Sequence, residues 1–72
     1  MNEVEKLRVL IPHWMEHNEE HASEFRRWAK QAGDAAKDIS TAADLMAQVN
    51  AVLKTALEKL GGALDHHHQH YE

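Results

Sequence analysis

At 72 residues the chain can form one small domain and no large enzyme, because a chain this short buries only about 60% of the surface it exposes when unfolded. Hydrophobic residues make up 43% and charged residues 28%, too apolar for intrinsic disorder, and a single proline with three glycines leaves little loop, so a compact helical domain is expected. Eight basic against twelve acidic residues give −4, which argues against nucleic acid as a partner; the absence of cysteine removes disulfides and thiolate ligands, so any metal must be held by nitrogen and oxygen.

The N-terminal residues 1–6 are mixed in charge, and the longest run of large aliphatic residues is Val9, Leu10 and Ile11, so neither a signal peptide nor a membrane span is expected and the default compartment is the cytoplasm. Residues 3–11 form an amphipathic segment with Val4, Leu7, Leu10 and Ile11 on one side. Pro12 then predicts either a fresh helix or a kink. From residue 13 to 32 the pattern is helical, with Trp14, His21, Phe25, Trp28 and Ala32 in one sector of the wheel, which makes the two tryptophans core residues. Gly33 supplies a left-handed stop, and Asp34 can cap the next helix.

Residues 35–60 keep a heptad stripe of Ile39, Ala42, Met46, Val49, Leu53, Ala56 and Leu60, widened by Leu45, Val52 and Leu57. Thr41 to Asp44 resembles a capping box, but the unbroken register favours one helix. Gly61 and Gly62 end it. The fold class is therefore all-α: an antiparallel hairpin over residues 1–62, with a third short helix if the chain breaks at Pro12, followed by an aperiodic His-rich tail over residues 63–72. Facing residue numbers should add to about 67, which brings Asn18 opposite Asn50 and the tail to the His13 end of the bundle. A hairpin this small ordinarily needs a metal or a partner chain when disulfides are unavailable.

The seven histidines fall into two clusters. His13, His17 and His21 stand at i, i+4 and i+8, so each adjacent pair can aim two imidazoles at one ion. All three cannot easily share it, since His13 and His21 lie about 12 Å apart along the axis. The second cluster is His66, His67, His68 and His70, interrupted by Gln69 and continued by Tyr71 and Glu72, unlike a purification tag. Ten residues of extended chain span at most about 35 Å, enough for tail histidines to complete a sphere begun on the helix. His21 has a bland alternative as a packed core imidazole.

Catalysis is not expected. His13 to His17 and His17 to His21 both satisfy H-x-x-E-H, the inverted zinc-peptidase spacing, but two overlapping matches weaken each other and a 72-residue hairpin cannot wall off a substrate cleft. Ser23, Ser40, Thr41 and Thr55 have no triad around them.

The stretch from Leu10 to Ala22, with Pro12-His13-Trp14, then His17-Asn18-Glu19-Glu20-His21, then Trp28 and the histidine-rich C-terminus, resembles a small helical domain of bacteria and archaea found alone or appended to CooT-type nickel-binding proteins. That resemblance implies a role in nickel delivery, with His13, His17, His21, His66, His67, His68 and His70 as ligands and a nickel-enzyme maturation partner. Imidazole by itself suits zinc, cobalt and copper as well, so nickel is chosen by the resemblance alone. The expectation is a small protein that binds or delivers a divalent transition metal; the alternative is a helical interaction or dimerisation module, a homodimer in the simplest case, with incidental histidines.

Overall fold

Asn2 begins the first helix. Its Oδ1 accepts from the Glu5 backbone N–H at 2.8 Å while its own N–H donates to Glu5 Oε1 at 3.2 Å, a reciprocal cap for donors that a helix start otherwise leaves bare. Helix α1 then runs Glu3–Ala29, with Glu3 and Glu5 in its first turn and Arg26 and Arg27 in its last, each sign matched to the helix dipole. In the computed structural model, which describes residues 2–64, α1 is followed by a 3-10 turn, Gly33–Ala35, and by helix α2, Ala36–Leu60. The two helices pack as an antiparallel hairpin, and no strand occurs among the described residues.

The expected break at Pro12 is not there: α1 passes through it, and no third helix precedes it. Proline lacks an N–H, so the carbonyl four residues earlier, that of Arg8, loses its helical donor. The chain beyond α2 supplies a replacement, since the Leu64 N–H donates to the Arg8 carbonyl at 3.3 Å. The Arg8 side chain closes the same junction, its Nε donating to the Gly62 carbonyl at 2.6 Å and its Nη2 to the Gly61 carbonyl at 2.9 Å. A proline that should interrupt a helix is thereby accommodated by tertiary hydrogen bonds.

Gly33 turns the chain with φ +58°, the left-handed geometry expected of it. Asp34 lies inside the 3-10 turn and does not cap α2, whose N-cap position is Ala35 without a side-chain bond. α2 is one helix through Thr41, as the register required. It ends in a paired C-cap: Gly61 N–H donates to the Glu58 carbonyl at 3.1 Å and Gly62 N–H to the Leu57 carbonyl at 2.9 Å. Gly61 has φ +113°, and a Cβ there would lie 3.2 Å from Arg8 Cζ, so both conformation and space call for glycine.

The seam between the helices runs along Ile11, Met15, Asn18, Ala22, Phe25 and Ala29 of α1 and along Ala36, Ile39, Ala43, Met46, Asn50, Leu53, Leu57 and Leu60 of α2, all buried or half-buried. On α2 the expected stripe keeps Ile39, Met46, Leu53 and Leu60, with Ala42 and Ala56 half-buried beside it and Leu57 in it as expected; Val49 is exposed, and Ala43 and Asn50 hold the best-buried positions. On α1 the expected sector is corrected in the same way. Trp14, His21 and Trp28 give place to Met15, Ala22 and Ala29, and the tryptophans remain 43% and 56% exposed.

The shift has a cause in the middle of the seam. Asn18 Nδ2 donates to Asn50 Oδ1 at 2.9 Å, and Asn50 Nδ2 donates to the Met15 carbonyl at 2.9 Å. These bonds offset the cost of burying an asparagine at a position that hydropathy alone would have given to Val49. Toward the turn the seam is lined by Ala22, Ala29, Ala36 and Ala43, small side chains that let the helices approach closely. The facing pair the register predicted is therefore present. The resulting hairpin measures 47 × 24 × 14 Å, a single layer, and among the described residues no large side chain is fully buried.

Candidate functional site

α1 carries the three helix histidines one turn apart, on its outward side rather than in the seam. His13 and His17 are brought together: their ring centroids lie 4.5 Å apart with planes inclined by 60°. His13 is half-buried and His17 exposed, so the pair opens to solvent from one edge of the helix. Glu16, Glu19 and Glu20 are exposed on the neighbouring turns and make the local field favourable to a cation.

His21 is not part of that pair. It is exposed, with Nδ1 3.5 Å from Glu24 Oε1, and its ring stands 6.4 Å from that of Phe25. The core imidazole alternative is thus corrected, since the seam passes through Ala22. Among the described residues no three histidine, aspartate or glutamate side chains converge to hold an ion. Two imidazoles from adjacent turns supply half of a tetrahedral sphere and a third of an octahedral one, so this donor set fits a transition metal only as its anchor. His66, His67, His68 and His70 lie outside the described residues.

A feature that sequence reasoning missed bears on them. Leu64 is tied to Arg8, and five helical residues, about 7.5 Å of axis, separate Arg8 from His13. Leu64 is therefore held near the His13 end of the bundle, the end to which the register assigned the tail. The signal was available: a proline within a helical pattern leaves the carbonyl of residue i−4 without a donor, which singles out Arg8, and the Gly61-Gly62 pair lets a chain approach closely. Asn18 and Asn50, the other polar pair, hydrogen-bond to each other and to the Met15 carbonyl and orient no histidine.

The broad side of the hairpin away from Trp14 and Trp28 is polar. Arg26 Nη1 donates to Asp44 Oδ1 at 3.1 Å across the helices, beside a shallow recess lined by Asn18, Glu19, Ser23 and Asn50. None of the described helices is long and apolar enough to cross a membrane.

No solved structure matches the chain. An uncharacterized protein of Archaeoglobus fulgidus is 34% identical over 62 residues, an alignment covering 81% of this chain and 100% of that protein. Residues 7–60, which take in α1 from Leu7 onward, the turn and α2 to its last residue, match a family described as a domain of unknown function, DUF8180. The helical hairpin with its narrow asparagine-centred seam is thus the part of this chain that the family match spans, and the chain belongs to the DUF8180 family.

Proposed function

We propose that the protein binds a divalent transition metal and holds it for transfer, with His13 and His17 as the anchoring ligands and His21, His66, His67, His68 and His70 as the source of the rest. The observation that carries this reading is the His13–His17 ring pair at 4.5 Å, set near the end of the hairpin to which Leu64 is tied. Nickel is the first candidate, on the resemblance, with zinc, cobalt and copper as alternatives. The reading assigns no catalysis, and a nickel-enzyme maturation partner remains part of it.

Titration calorimetry of the untagged chain at neutral pH with nickel, zinc and cobalt tests it. Micromolar or tighter binding is expected, and no heat with any of the three ends the proposal. His17→Ala should weaken binding most, because His17 alone has a histidine four residues away on both sides. Metal at a hundredfold excess over Kd should stabilise the fold by about 2.7 kcal/mol, a rise of about ten degrees or more in Tm for so small a domain. Deleting residues 65–72 should leave the metal-free Tm nearly unchanged and remove most of that rise.

The second reading, an interaction module with incidental histidines, is favoured by the exposed apolar side chains of both helices. It differs in requiring assembly that a chelator leaves intact.

A further inference from the structure

Seven large hydrophobic side chains are exposed among the described residues, and six of them share one broad face of the hairpin: Leu10, Trp14 and Trp28 from α1, and Leu45, Val49 and Val52 from α2. Their common side follows from helix geometry. Arg26 and Asp44 each follow a seam residue, Phe25 and Ala43, and they meet across one broad side. In an antiparallel pair of right-handed helices, residues that precede seam positions must then share the opposite side. Trp14, Trp28 and Leu10 precede Met15, Ala29 and Ile11 on α1, and Leu45, Val49 and Val52 precede Met46, Asn50 and Leu53 on α2. Their exposures run from 39% for Leu10 to 69% for Val52.

We infer that this face is covered by a second copy of the chain, two hairpins stacking through it into a four-helix bundle. Area favours this occupant. Six large apolar side chains stand 39–69% exposed on one face, two of them tryptophans, a residue type that buries about 150–250 Å² when covered. An apolar strip of that extent supplies the core of an interface to which each partner ordinarily contributes ~800 Å². Shape agrees, for a layer 14 Å thick has no interior of its own, and helical domains close by setting one layer on another. An isologous pairing needs a self-complementary patch, and an apolar strip running over both helices satisfies that without matching charges. The pairing uses no metal; because His17 and His21 lie on the same broad side, it is tested in chelator, where its outcome and that of the metal-binding proposal are distinguishable.

Sedimentation equilibrium of the full chain in excess chelator, over about a hundredfold concentration range, is the test. The expected result is a dimer that dissociates on dilution, with tryptophan emission moving to longer wavelength as Trp14 and Trp28 are uncovered and with Tm rising with concentration. Val52→Glu should raise the dissociation constant at least about a hundredfold, whereas Ala51→Glu, one residue away on the charged side, should leave it unchanged. If V52E loses its helical circular dichroism while A51E keeps it, the inference is equally supported, because Val52 has little to lose within a single hairpin. A chain that is monomeric throughout with a concentration-independent Tm overturns it and assigns the face to a different partner. It is also overturned by equal effects of the two variants, by a dimer that forms only without chelator, or by an assembly larger than two chains.

Discussion

The two broad sides of this hairpin are made by the same two helices and share one seam, yet they differ in nearly everything that governs association. One side carries the Arg26–Asp44 bond and a recess lined mainly by polar residues; the other carries two tryptophans, two leucines and two valines, with His17 and His21 among them. Charges cost little in water and leave a surface soluble, whereas apolar area exposed on this scale is stabilising only once something covers it. The difference teaches that the seam is not the whole core: it holds the hairpin in register, and the apolar side holds the area that a single layer cannot bury.

Substitutions rank the seam against the two sides. Ile11, 3% exposed, is the best-buried large side chain, and Ile11→Ala should cost about 3 kcal/mol, enough to unfold most molecules of so small a domain in a thermal melt. Asn50→Ala leaves Asn18 Nδ2 without its acceptor inside the seam and should cost about 2 kcal/mol in denaturant unfolding. Replacing both Asn18 and Asn50 with leucine should instead recover that stability while relaxing the register, visible as several oligomeric species in native mass spectrometry.

Gly61→Ala places a side chain at φ +113° and against Arg8, and a loss of about 1 kcal/mol is expected, with faster amide exchange at Leu64 as the sign that the junction has opened. The smallest effects separate the two sides directly. Arg26→Ala removes an exposed ion pair and should change stability by no more than about 0.5 kcal/mol at any protein concentration. Val49→Ala, on the apolar side, should cost about 1 kcal/mol at high concentration and nearly nothing at high dilution. Equal costs for Arg26→Ala and Val49→Ala at both concentrations would erase the distinction between the sides.

Much of the architecture was legible along the chain. The periodicity, the stop at Gly33 and the Gly61-Gly62 terminus defined two helices and the turn between them, and the register brought Asn18 to Asn50 because facing positions in an antiparallel hairpin are set by where it turns. The side each helix presents to the other was read in part: Phe25, Ile39, Met46, Leu53 and Leu60 lie in the seam, whereas Trp14, Trp28 and Val49 lie one residue outside it, and for one reason. Large aromatic and aliphatic side chains at helical spacing are usually core, so the wheel chose Trp14, Trp28 and Val49, while the folded chain chose the small and hydrogen-bonded residues that let the helices approach. The same gap explains the candidate site: i, i+4 spacing was enough to pair His13 with His17, but it could not tell that His21 would lie beside Glu24.

Local chemistry along the sequence thus determined element type, the turn at Gly33, the stop at Gly61-Gly62 and that His13 and His17 can meet, because each depends on residues within a turn or two of one another. Tertiary structure alone decided that α1 continues through Pro12, since the donor that replaces the missing N–H comes from Leu64, fifty-six positions away from the Arg8 carbonyl it satisfies. It also decided which of two competing stripes closes the hairpin and which is left outside, because close approach and amide pairing are properties of two helices together and are carried by neither one alone.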